Sequence, residues 1–173
     1  MRADADFHDF YAANYGRTVA LVTSLLGDRN EAEDVAQEAF ARALIRWSRL
    51  RMYEQPEAWI RRVALRLAID SRRRAVRMGR LVRLTAVRQP ARQADSDFAA
   101  SSELSEAILA LPYSQREVVV LHYLVDLPLA QIATDLRLPL STVKTRLASG
   151  RRKLERELSG QREVASDERG GAR

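Results

Sequence analysis

Three carboxylates, Glu31, Asp34 and Glu38, recur at spacings of three and four, which puts them on one face of a helix. Such a stripe has two chemical uses: half of a magnesium site, or a docking face for a basic protein. A magnesium site of that kind needs a second carboxylate pair, and the next helical stretch offers only Asp70 among arginines. His8 and His122 stand alone, cysteine is absent, and no glycine-rich phosphate loop or nucleophile–base pairing occurs. An enzyme is therefore not expected, nor a cofactor or metal. The remaining chemistry is recognition. Segment 56–74 carries Arg61, Arg62, Arg66, Arg72, Arg73 and Arg74 behind Trp59, a set suited to a nucleic-acid backbone with an aromatic for stacking. Segment 141–158, STVKTRLASGRRKLEREL, interleaves hydroxyls with Lys144, Arg146, Arg151 and Arg152.

The elements that must hold these residues are helical. The chain has 173 residues, 46% of them hydrophobic, enough for one ordinary domain or two small ones. The net charge of +6 points to an anionic partner, and only two of the 29 basic residues are lysines, at 144 and 153. Apolar spacing predicts a helix over 7–26, closed by Gly27 and Asp28. A second helix is expected over 30–47 with Asn30 as N-cap. A loop is expected over 48–55, and a third helix from Pro56 to Arg74 with Ile60, Val63, Ala64 and Leu67 inward. Residues 76–102 mix arginine, glycine, proline and small polar residues and read as a flexible linker. Beyond it come a helix over 103–110, a capping box at Ser114–Glu117, and an apolar run to Leu124. The polar residues 159–173 read as a disordered tail. No strand pattern appears, so the class is all-α, with helical domains over 1–75 and 103–158. The acidic, polar N-terminus is no signal peptide, and no apolar run reaches the roughly 20 residues of a membrane span. A soluble cytoplasmic protein without membrane insertion is expected.

A short helix over 128–136, the tight connection 137–140 and the basic helix that follows form a helix-turn-helix. Val143 and Leu147 should pack on Ile132 and Leu136. Ser141, Thr142, Lys144, Thr145, Arg146 and Ser149 should then face base edges in the major groove, with Arg151 and Arg152 on phosphates.

The whole order resembles a bacterial RNA polymerase sigma factor of the sigma-70 family, in its small extracytoplasmic-function (ECF) group. DRNEAEDVAQEAFARALIRW, 28–47, resembles the core-binding helix of region 2, and PEAWIRRVALRLAIDSRRR, 56–74, its promoter-melting helix. LPYSQREVVVLHYLVDLPLAQIATDLRLPLSTVKTRLASGRRKLER, 111–156, resembles region 4. The resemblance implies two helical domains that direct promoter-specific transcription initiation. Asp34, Gln37 and Glu38 would grip the clamp helices of core RNA polymerase. Tyr53, Trp59, Arg61, Arg62 and Arg66 would contact the −10 promoter DNA, where a base is extruded into a protein pocket; which residue lines that pocket stays open. The 141–152 helix would read the −35 element, the linker with Arg77, Arg80, Arg83 and Arg88 would run near nucleic acid, and an anti-sigma factor is an expected partner. Arg137 stands where relatives commonly have glycine in the turn, and Pro128 and Pro139 where a serine or threonine cap often sits. The rival reading is a stand-alone helix-turn-helix transcriptional regulator, which leaves the first domain without a role.

Overall fold

The computed structural model describes the backbone of residues 2–79 and 102–170, and the side chains of 6–79 and 103–159. The contacts divide the chain into two units, Met1–Ala99 and Ala100–Arg173. Among the described residues every regular element is helical. The predicted linker falls largely on residues outside those described; its first residues belong instead to a helix that runs on to Arg77.

In the first unit α1 (Arg2–Leu26), α2 (Arg29–Ile45) and α4 (Pro56–Arg77) pack on one another, with the single turn α3 (Trp47–Leu50) between α2 and α4. Gly27, at φ 80°, takes the left-handed conformation that closes α1. Asp28, rather than Asn30, caps α2, its side chain accepting the Glu31 N–H at 3.0 Å. The capping residue lies earlier because Arg29 is already helical. Ala32, Ala36, Ala39 and Ala43 of α2 are all fully buried, so the helices can approach closely along that seam. Val22 and Leu25 of α1 and Phe40 of α2 complete this core. At one end of the unit Trp47 packs edge-on to Phe7 at a centroid distance of 5.3 Å and tilted against Phe10 at 4.9 Å.

Two expectations shift here. Part of the predicted loop is helical, because Trp47 and Leu50 both bury their side chains and fix a turn over 47–50. On α4 the buried set is Ile60, Ala64, Leu65, Ala68 and Ile69, while Val63 and Leu67 are only half-buried. Contact with both α1 and α2 demands a broad arc, and that arc swings towards Leu65 and Ile69 and carries Arg61 inward.

The second unit comprises α5 (Ser102–Ala110), α6 (Tyr113–Val119) with a π-helical turn over Val120–Leu124, α7 (Leu129–Leu136) and α8 (Leu140–Gly170). The expected capping box does not form. Pro112 occupies the N-cap without a side-chain bond, and Glu117 is buried and bonded to Arg146 of α8 instead. α7 ends on Arg137, which sits in the left-handed region at φ 55°, ψ 46°. α8 continues to Gly170 through most of the span expected to be a frayed tail, in line with the good helix formers in QREVASDER.

Candidate partner-binding and nucleic-acid surfaces

The outer face of α2 presents Asp34, Gln37 and Glu38, all exposed. Glu31 does not join them. It is half-buried and accepts a hydrogen bond from Ser71 of α4 at 2.9 Å, so it ties two helices together. Glu38 accepts from Arg42 Nε at 2.8 Å one turn along, an exposed pair that water and salt largely screen. Asp34 makes no ion pair among the described residues and carries the open negative charge of this face. Further along the same helix Leu44 and Ile45 are exposed, Ile45 at 83%. The surface therefore runs from carboxylate to bare hydrocarbon, and the apolar end was absent from the sequence expectation. Its signal was present, since Leu44 and Ile45 fall out of phase with the buried Val35, Ala39 and Phe40.

The residues assigned to −10 contact divide by exposure. Tyr53 is 54% exposed in the turn after α3, next to Met52, which is also exposed and was not singled out in the sequence. Arg62 and Arg66 point outward from α4, Trp59 is half-buried, and Arg61 is half-buried with its Nε shielded from solvent and unbonded. Arg51, in the turn after α3, lies 3.6 Å from Asp6 of α1. Elsewhere in this unit Tyr11 has its pKa raised, first by burial and then by the neighbouring Tyr15, whose ring stacks on it at 4.8 Å.

The helix-turn-helix is α7, the turn at Arg137–Pro139, and α8. Val143 is fully buried, as are Ile132 and Leu136 of α7, and Leu147 is half-buried. Ser141, Lys144, Thr145, Arg151 and Arg152 are exposed; Thr142 and Ser149 are half-buried. The Thr145 hydroxyl donates to the Ser141 carbonyl at 3.0 Å, and Arg151 lies 3.3 Å from Glu155 in an exposed pair. Arg146 departs from the expected outward direction. Its Nη1 donates to Glu117 Oε1 at 2.9 Å, across to α6, with the glutamate side chain only 10% exposed. A helical residue three past Val143 and four before Gly150 faces the core, which is the physical reason for that direction. The α7–α8 turn is closed by bonds from Arg137 N–H to Thr134 O and from Leu138 N–H to Ala133 O. Pro128 caps α7 without a side-chain bond.

Among the described residues no cluster of three or more His, Cys, Asp or Glu side chains is placed to hold a metal ion. No helix among them is long and apolar enough to cross a membrane.

Known proteins share this layout. Residues 10–78 match the model of sigma-70 region 2, and residues 101–154 match that of sigma-70 region 4. The chain is 34% identical over 169 residues to the ECF RNA polymerase sigma factor SigW of Bacillus subtilis, covering 90% of this chain and 89% of that one. It is 28% identical over 127 residues to the RNA polymerase sigma factor SigV of the same organism, covering 73% and 75% respectively. Among solved structures, the sigma factor RpoE of Bartonella quintana, crystallised with the anti-sigma factor NepR, superimposes with a TM-score of 0.62 at 19% identity. That match covers 89% of this chain and 97% of the other, and it is a likeness of fold.

Proposed function

Because the chain belongs to the ECF group of the sigma-70 family and so serves promoter-directed transcription initiation, we propose a division of labour among its surfaces. Asp34, Gln37 and Glu38 bind core RNA polymerase, with Leu44 and Ile45 extending the contact. Tyr53, Trp59, Arg62 and Arg66 engage the −10 element as it opens, and the outer face of α8 reads the −35 element as duplex. The domain boundaries follow the same division: 1–75 binds polymerase and melts DNA, 76–102 links, and 103–158 reads upstream.

The single observation that carries this reading is the paired character of α2 and α4. One presents an open carboxylate at Asp34, and the other presents exposed Arg62 and Arg66 and is preceded by the turn that exposes Tyr53. An acid face suits a basic protein partner, while guanidinium groups and an aromatic suit a backbone and an unstacked base. Extruding a base costs a few kcal/mol, which stacking on Tyr53 and contact with the arginines would offset. On α8, hydroxyls and cations at helical spacing suit base edges and phosphates.

Bond-making chemistry in this scheme belongs to the polymerase, and the chain acts in the cytoplasm where that enzyme works. An anti-sigma factor is the partner that would cover the exposed surfaces when the factor is idle; the bare Leu44 and Ile45 favour such cover. The test is run-off transcription by core polymerase with this protein on a library of promoter fragments. The reading expects start sites that vanish without the protein, and reduced opening by Tyr53→Ala with core binding retained. Opening unaffected by Tyr53→Ala would remove the −10 assignment.

A further inference from the structure

The direction of Arg146 bears on which residues of α8 can touch bases. Four observations fix the rotation of α8 about its own axis. Val143 is fully buried. Arg146 bonds to the buried Glu117 of α6, 29 residues earlier in the chain. Gly150 is buried, and a Cβ built on it would lie 2.7 Å from Val119 Cγ2, so α8 meets α6 there at a distance only glycine allows. Leu147, between them, is half-buried. Positions 143, 146, 147 and 150 occupy one arc of the helix. The opposite arc holds Ser141, Thr145, Ala148 and Arg152, and all four are exposed.

We infer that Arg146 is a positioning residue, locked to Glu117, and that Ser141, Thr145, Ala148 and Arg152 form the line that reads the −35 duplex. This rests on the reading of α8 as the upstream recognition helix and names its specificity residues. Lys144 and Arg151 flank that line on one side, placed for phosphates.

Each reading position has a definite chemistry. Thr145 directs its hydroxyl hydrogen to the Ser141 carbonyl, so in this conformation it offers a base its lone pairs and a methyl group. While that bond holds, it accepts from the amino group of adenine or cytosine. Ala148 offers only a methyl group, the partner of a thymine 5-methyl. Arg152 ends the line with a guanidinium, fitted to guanine or to phosphate.

The test uses the full chain assembled with core polymerase, selecting bound sequences from promoters randomised across the upstream element. Glu117→Gln, Arg146→Met and the double variant are compared with Ala148→Gly and Thr145→Val. Loss of the lock should lower discrimination at every upstream position together, by about threefold to tenfold, with the double variant no worse than the poorer single one. Ala148→Gly should lower preference for thymine at one base pair, and Thr145→Val should change a neighbouring one, each by about tenfold or less. The opposite result is specific: if Arg146→Met erases preference at one base pair while Glu117→Gln changes nothing, Arg146 reads a base and the inference is overturned. Should Arg146→Met fail to fold, by circular dichroism, the Glu117→Gln and Ala148→Gly profiles still decide. A wild-type holoenzyme with no upstream preference at all would instead remove the −35 reading of α8 itself.

Discussion

Replacing Gly150 by alanine and Gly16 by alanine should move stability in opposite directions, although both sit within helices. At Gly150 the new Cβ would lie 2.7 Å from Val119 Cγ2, against about 3.5–4.0 Å for carbon atoms in ordinary contact. Val119 is 2% exposed and β-branched, with one strongly preferred rotamer in a helix, so it cannot swing aside. Overpacking of this size costs about 1–3 kcal/mol, and the helix-propensity gain from glycine to alanine returns about 1 kcal/mol. The net expectation is destabilisation of about 1 kcal/mol in the second unit. At Gly16 nothing lies within 4 Å of the built Cβ, so only the gain of about 1 kcal/mol remains. Both tryptophans, Trp47 and Trp59, lie in the first unit, so their fluorescence reports that unit while helical circular dichroism reports both. Gly150→Ala should lower the dichroism-detected transition of the second unit by about 4–8 °C and leave the tryptophan transition in place. Gly16→Ala should raise the tryptophan transition. Adding Val119→Ala to Gly150→Ala should recover part of the loss, because it removes the offending methyl. A Gly150→Ala protein stabilised as much as the Gly16→Ala protein would refute the close α6–α8 approach, and with it the rotational setting of α8.

Arg137 holds a left-handed backbone at φ 55°, which glycine adopts without the Cβ penalty. Arg137→Gly should therefore stabilise the second unit by about 0.5–1 kcal/mol, read as a higher urea midpoint with unchanged slope; a lower midpoint would mean the arginine side chain itself stabilises the turn. Tyr11 has a pKa raised above 10.0 in the folded protein by burial and by Tyr15. The native state thus holds that proton more tightly, and the corresponding stability is complete below the ordinary value and lost as pH rises through the raised one. Tyrosinate absorbance should show a late-titrating step that Tyr11→Phe removes, and a curve unchanged by that substitution would contradict the assignment.

Much of this was legible in the sequence because the helices are strongly periodic and their ends carry local signals. The Gly27–Asp28 closure, the Pro56 start and the burial of Ile132, Leu136 and Val143 all follow from spacing and side-chain type. The misreadings arise where a distant contact outbids a local preference. Ser114–Glu117 has the spacing of a capping box, yet Glu117 bonds to Arg146, a residue that no local pattern brings near it. The same contact turns Arg146 away from the surface where its charge alone would put it. Glu31 belongs to the acidic stripe by spacing, but Ser71, 40 residues away, claims it. On α4 the spacing expected Val63 and Leu67 beside Ile60 and Ala64 on the inward face, but apolar residues lie on both sides of Ala64, and packing against two helices buries Leu65 and Ile69 instead.

The most direct test of the account is a titration of the purified protein against bacterial core RNA polymerase, alongside a variant with Asp34→Lys and Glu38→Lys. Both residues are exposed on α2 and neither is part of the core, so the variant should fold as the wild type does. The account predicts saturable binding by the wild type and a loss of at least about tenfold in affinity for the variant. Equal binding by both proteins would contradict the acidic face of α2 as the polymerase-binding surface.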